Sequence, residues 1–330
     1  MSNLDEKTES LNQSGAFLQI YALNELRKKH WSVTSEYPIT ISQFANNPKK
    51  LLHPRQVALA KHELDSIHYS NAIIDSRSNT DAKETSIDIV ASKIIHGSCY
   101  NLCIESKKLD PRFSDWVFFR QESHKNTMRI FCRTVDTIGI VDLFDTLPTK
   151  QSQFETHLRI GEYGDLEFTK HIVTDFALAL KNRKVETDFY KSEKTKIDES
   201  SRQIIEGIFG FMIESVIADI REGEPTLKQP LDDVFIPIVV TNANLFLCDY
   251  DENAINPDTG RIEKDPKYQT VDSVVYECPV PKSIRFPEIA SSHLSYKQRN
   301  AYSKWHVLIL SPKGFIEFLD KIEQAPIFQR

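Results

Sequence analysis

SIDIVASKIIHGSCYNLCIESKK, residues 86–108, decides the fold of this chain. Its first half, Ser86-Ile87-Asp88-Ile89-Val90-Ala91, is a short β-branched apolar run broken by one aspartate. A turn-like segment, Ile95-His96-Gly97-Ser98, leads into Tyr100-Asn101-Leu102-Cys103-Ile104-Glu105-Ser106-Lys107-Lys108. The pattern predicts strand, turn, strand, with strands over 85–94 and 99–107. Side chains alternate faces along a strand, so Glu105 and Lys107 share one face while Ile104 and Ser106 share the other. Antiparallel pairing of the two strands then sets Asp88 beside Glu105.

Two carboxylates and an ammonium at one sheet edge suit a metal and a phosphate. Mg²⁺ is a hard cation that takes carboxylate and phosphate oxygens and retains several waters. Held against a scissile phosphate, it stabilises developing charge and lowers the pKa of a bound water. A neighbouring lysine can orient that water or help deprotonate it.

The run Asp88 … Glu105-Ser106-Lys107 resembles the signature of the PD-(D/E)XK nuclease superfamily, the restriction-endonuclease-like fold. One departure is that Ile87, not proline, precedes Asp88. The resemblance implies a metal-dependent nuclease acting on DNA ahead of RNA. Asp88 and Glu105 would chelate Mg²⁺ or Mn²⁺, and Lys107 would serve the attacking water. Many members carry a glutamate on the first helix facing the metal; the comparable position here holds Gln19, with Glu36 on the following strand as a substitute. Glu84, four residues before Asp88, is a further candidate. Three other acid-x-Lys triplets, Asp5/Lys7, Asp81/Lys83 and Asp265/Lys267, sit in polar, loop-like surroundings with no apolar run before them.

The implied architecture is a single α/β domain: a restriction-endonuclease-like αβββαβ core with a central mixed sheet flanked by helices. Its parts are 14–40, 85–108 and 200–247, with insertions at 41–84 and 109–198 and a C-terminal extension at 248–330. The alternatives are a catalytically inactive module of the same fold that binds nucleic acid or protein, and an interaction protein of another α/β fold. The inactive module is favoured by the acidic balance and by Gln19. A homodimer, or a protein partner in a phage-defence setting, is an expectation from family analogy alone.

Composition sets outer limits. The chain has 330 residues, 40% hydrophobic and 27% charged, the proportions of a globular protein. No apolar run approaches the ~20 residues of a membrane helix, and residues 1–14 lack the apolar core of a signal peptide, so a cytoplasmic location is expected. Five cysteines form neither a CxxC pair nor a zinc-ligand spacing. A net charge of −6 argues against tight non-specific binding to nucleic acid. The basic residues available for phosphate contacts are Lys49, Lys50, Arg55, Lys107, Lys108, Arg112, Arg120 and Arg129.

Along the chain, apolar spacing predicts a helix over 14–30, with Phe17, Ile20, Leu23 and Leu26 on its stripe. A strand follows over 31–40. Pro54 opens an expected helix in the first insertion. The Trp116-Val117-Phe118-Phe119 cluster reads as core, 128–135 and 138–144 as strands, 172–180 as an amphipathic helix, and 182–198 as an exposed connection. The longest helix is expected over 200–222, capped by Asp198 and stopped by Gly223. Residues 234–247 read as one buried strand. Beyond it, 249–253 reads as a solvated turn, 271–278 and 305–310 as strands, and 312–322 as a helix. No P-loop, dinucleotide-binding glycine pattern or nucleophile elbow is present.

Overall fold

The computed structural model describes residues 15–40, 84–108, 115–120, 131–135, 141–142, 172–173, 177–180, 197–208, 211, 232–279 and 304–324. Helix α1 (Ala16–Lys28) begins after Gly15 and ends with Arg27 and Lys28, whose charges complement the C-terminal end of the helix dipole. It buries Ala22, Leu23 and Leu26. Phe17 and Ile20, expected on that stripe, are instead 55% and 48% exposed, so the apolar face is narrower than the spacing suggested. Strand β1 (Ser32–Thr40) follows, then β2 (Glu84–Ile95) and β3 (Ser98–Lys107). His96 and Gly97 join β2 to β3 with φ of 49° and 85°. Positive φ at both central residues is the requirement of the tight hairpin turn whose twist matches that of the strands.

The remaining strands are β4 (Asp115–Phe119), β5 (Phe131–Val135), β6 (Val141–Asp142), β7 (Ile172–Val173), β8 (Ala177–Leu180), β9 (Asp232–Thr241), β10 (Asn244–Asp249), β11 (Lys267–Val271), β12 (Ser273–Pro279) and β13 (Lys304–Leu310). Residues 197–208 form helix α2, and helix α3 spans Pro312–Gln324. The main sheet runs β1-β2-β3-β9-β13-β12-β7, and β5 also pairs with β9. It is mixed: β1, β2 and β3 form an antiparallel meander, whereas β9 runs parallel to β3 and to β13. A second sheet runs β11-β10-β4-β8.

One face of the main sheet, with Ile89, Leu102, Ile104, Ile236, Ile238, Val240 and Leu308, packs against Leu26 of α1 and Phe315, Phe318 and Leu319 of α3. The other face, with Cys103, Phe235, Val239, Val274 and Val307, packs against α2 and against Trp116, Phe118, Leu245 and Leu247 of the second sheet. Covering both faces explains why β9 reads as an almost unbroken apolar run. Each fully buried Ile or Val there contributes about 1.5–3 kcal/mol relative to exposure.

Several expectations are corrected. Residues 234–247 are not one strand: Asn242 and Ala243 interrupt them, and β9 and β10 belong to different sheets. In place of the helix expected over 172–180, Ile172–Val173 and Ala177–Leu180 form the short strands β7 and β8, again split between the sheets. Alternating apolar residues in so short a run fit either period, and tertiary pairing decided it. Asp198 does not precede α2 as a cap. It is already helical and accepts a hydrogen bond from the Tyr276 hydroxyl at 2.5 Å. The extension contributes β12 and β13 to the main sheet itself. The helix expected after Pro54, the stop at Gly223 and residues 182–196 lie outside the described residues. Among the described residues, no helix is long and apolar enough to cross a membrane.

Gly207 of α2 lies against β2 so closely that an added Cβ would meet Ile87 Cγ1 at 2.6 Å. Glycine inside a helix weakens it, so contact, not propensity, accounts for this residue. Gly207→Ala is expected to lower stability by about 1–3 kcal/mol in a urea unfolding curve. An unchanged midpoint would mean that α2 is free to move off β2.

Candidate active site at the fork between strands β2 and β3

The two strands that carry the acidic residues change face in step. Trp31 and Val33 lie towards α1, yet Tyr37 and Ile39, of the same parity, lie towards α2. Likewise Ile89 and Ala91 lie on the α1 side and Ile87 on the α2 side. The switch falls between Ser35↔Ile89 and Tyr37↔Ile87, the two pairs that flank Glu36 and Asp88. Glu36 has φ 51°, a left-handed conformation uncommon outside glycine. Beyond the switch Tyr37 packs edge-on against Phe211 at 5.0 Å, and Ile39 is fully buried.

On its other side β2 parts from β3. The ladder between them runs only as far as Ile89↔Ile104. The next amide in line, Ser106 N–H, donates not to a backbone carbonyl but to Asp88 Oδ2 at 2.8 Å. β3 meanwhile continues against β9 to Lys107↔Thr241. The strands therefore fork at Asp88, and extension of the register sets Asp88 opposite Glu105. Glu105 is 2% exposed, and its Oε1 accepts from Lys107 Nζ at 2.8 Å. Lys107 is 36% exposed. The expected shared face of Glu105 and Lys107, and the expected neighbourhood of Asp88 and Glu105, are both present.

Gln19, in the first turns of α1, reaches the same place. Its Nε2 donates to Glu36 Oε1 at 2.7 Å and to the Asp88 carbonyl at 3.1 Å. Glu84 pairs with Thr40 at the far end of β2, four residues from Asp88. At the rise of a strand that is ~13 Å, too far to share one small ion. Of the basic candidates, Lys107 ends β3 beside the fork and Lys108 follows it, and Arg120 lies 3.8 Å from Asp249 at the second sheet. Lys49, Lys50, Arg55, Arg112 and Arg129 lie outside the described residues. Asp265 and Lys267, the alternative triplet, are exposed.

Two groups escaped the sequence reading. The Ser106 backbone amide holds Asp88 in place, and no residue type signals such a role. Buried Thr241 ends β9 beside Lys107 and accepts from Ala243 N–H at 3.2 Å, shaping the turn by which the chain leaves the main sheet.

Burial dominates the electrostatics. It pushes the Glu105 carboxyl up from 4.5 to about 7; the Asp88 charge adds to the rise and the Lys107 hydrogen bond opposes it. Burial also raises Asp88, against the lowering effects of the Ser106 amide and Lys107, with the Glu36 charge pushing upward. Two coupled carboxylates with raised pKa values favour either a shared proton or a cation. Among the described residues no three His, Cys, Asp or Glu side chains form a metal-binding group. Two carboxylates suffice for Mg²⁺ when waters and substrate phosphate complete the shell. Glu105 Oε2 fits that need: it is buried and has no hydrogen-bond partner, an arrangement that costs free energy unless something binds there.

Comparison with known protein families, curated proteins and solved structures finds no match for this chain.

The Glu105 shift fixes the sign of a pH dependence. The native state holds its proton up to about 7, whereas the unfolded chain releases it near 4.5. Its contribution to stability is therefore most favourable at acid pH and is lost as pH rises through 7. Glu105→Gln is expected to raise stability at pH 8 by on the order of 2 kcal/mol and to change it little at pH 4.5, read from urea curves at the two pH values. Equal effects at both would show that Glu105 is not held protonated by burial.

Proposed function

We propose that this chain is a metal-dependent nuclease that hydrolyses phosphodiester bonds, in DNA ahead of RNA, at the fork between β2 and β3. The observation that carries the reading is the set Asp88, Glu105 and Lys107. Two neighbouring carboxylates stand there, one with an unpartnered buried oxygen, and an ammonium lies 2.8 Å from its other oxygen. The succession α1, β1, β2, β3 and then, beyond the intervening strands β4 to β8, α2 and β9, with β9 parallel to β3, supports the restriction-endonuclease-like core.

In this reading Asp88 and Glu105 hold Mg²⁺ or Mn²⁺, which when bound supplies charge stabilisation at the phosphate and a more acidic water. The Ser106 amide keeps the Asp88 carboxylate aimed into the fork while leaving its other oxygen available. Lys107 remains tethered to Glu105 by one N–H and has two further donors for the attacking water or a phosphate oxygen. A partly exposed ammonium beside a buried carboxylate balances charge without sealing the site from a polymer substrate. Only ionised Glu105 binds a cation, so metal affinity and cleavage are expected to rise between pH 6 and 8, about the value to which burial pushes it.

The test is cleavage of plasmid DNA, single-stranded DNA and RNA with Mg²⁺ or Mn²⁺. Asp88→Ala and Lys107→Ala are each expected to lower the rate at least ~100-fold. Cutting that survives both substitutions would sink the assignment. Absence of cutting together with absence of Mn²⁺ binding would favour the inactive binding module, in which Lys107 alone answers the Glu105 charge.

A further inference from the structure

The second sheet carries aromatic rings on its outer face. Trp116, Phe118, Leu245 and Leu247 belong to the apolar layer shared with the main sheet, so the alternating residues Phe119, Phe246 and Cys248 lie on the opposite face. Phe119↔Cys248 and Cys248↔Tyr268 are register pairs, which sets these three residues in one row across β4, β10 and β11. Trp116, Val117 and Phe118 are buried, whereas Phe119 is partly exposed and meets Tyr250 edge-on at 5.9 Å. Tyr268 is 57% exposed. Partial burial raises its hydroxyl pKa, and the Cys248 sulfur adds to the rise by its charge and by a hydrogen bond. A hydroxyl that reaches the residue directly across the ladder belongs to a ring laid across the sheet, with one side of the ring left open.

We infer that this face is a stacking platform for single-stranded DNA, with Tyr268 as its most exposed ring. The choice of polymer rests on the nuclease reading, and the platform goes beyond it by naming the strandedness of the substrate. Position supports the link. Lys107 pairs with Thr241, the last residue of β9, and only Asn242 and Ala243 separate that residue from β10. Cys248 and the aromatic row then lie ~13 Å along β10 from Asn244, within reach of a polymer that enters the fork. Charge supports it too. Arg120, 47% exposed, and the exposed Lys267 flank Asp249, so two cations face one carboxylate at this rim. Asp251, farther along, is answered by Lys264 at 3.7 Å. A duplex keeps its bases stacked on one another, so an unpaired strand is the form that offers base faces to these rings. Every base has such a face, and the platform therefore gives affinity without sequence preference.

The experiment is fluorescence anisotropy of a labelled oligodeoxythymidine of ~20 nucleotides, titrated with the full chain in EDTA so that no cleavage occurs. The single strand is expected to bind more tightly than a duplex of the same length. Tyr268→Ala should weaken the Kd at least about fivefold, whereas Tyr268→Phe, which keeps the ring, should stay within about twofold of the unsubstituted chain. Unchanged affinity in Tyr268→Ala, equal loss in both variants, a duplex bound as tightly as the single strand, or no binding of the single strand each overturns the platform. Plasmid cleavage that Asp88→Ala abolishes would leave the nuclease reading standing in all those cases. Conversely, ring-dependent binding by a chain that cuts no DNA would uphold the platform and count against the nuclease.

Discussion

One hydrogen bond, from the Ser106 amide to the Asp88 carboxylate, determines the character of the whole site. It replaces a rung of the β2–β3 ladder with a side-chain contact. The strands can then diverge while β3 stays fully paired with β9 on its other edge. An opening in the middle of a buried sheet would ordinarily strand backbone donors; here the carboxylate satisfies the exposed amide. The fork is thus compatible with a well-packed core and still leaves room for polar groups.

Around that fork the sheet behaves as two bodies with different loyalties. The near halves of β1 and β2 pack with α1, and the far halves pack with α2 through Ile39, Ile87 and Tyr37. The change of face is concentrated at Glu36 and Asp88, so these carboxylates sit where neither core claims the side chain. Gln19 from α1 and Gly207 from α2 approach this point from opposite sides. The site is consequently held by both flanking layers and not by a loop, which favours geometric precision.

The second sheet plays a supporting part. The chain passes from one sheet to the other between β9 and β10 and between β11 and β12, and Thr241 and Asp272 shape these passages. Asp272 accepts the Ser311 hydroxyl at 2.8 Å, and its carbonyl accepts the Ser311 amide at 2.9 Å, anchoring the start of α3. Two sheets linked in this way share one apolar layer, and the end of β9 beside Lys107 is fixed by it.

What local sequence determined is the hairpin and its charges. The 86–108 run carries a period-2 pattern, a His-Gly turn and the Glu-x-Lys spacing, and these alone set the strands, the turn and the common face of Glu105 and Lys107. Pairing by way of that short turn also brought Asp88 near Glu105, because register in a tight hairpin follows from the turn. The α/β class and most buried runs were likewise legible, since burial leaves a compositional trace. Tertiary structure alone decided the rest. The break at Asn242-Ala243, the strands at 172–180, the switch of face at Glu36 and the Ser106 bond to Asp88 all arise from competition between two cores and two sheets for the same segments. Such competition involves partners far apart along the chain, and no local pattern of residues records which partner wins.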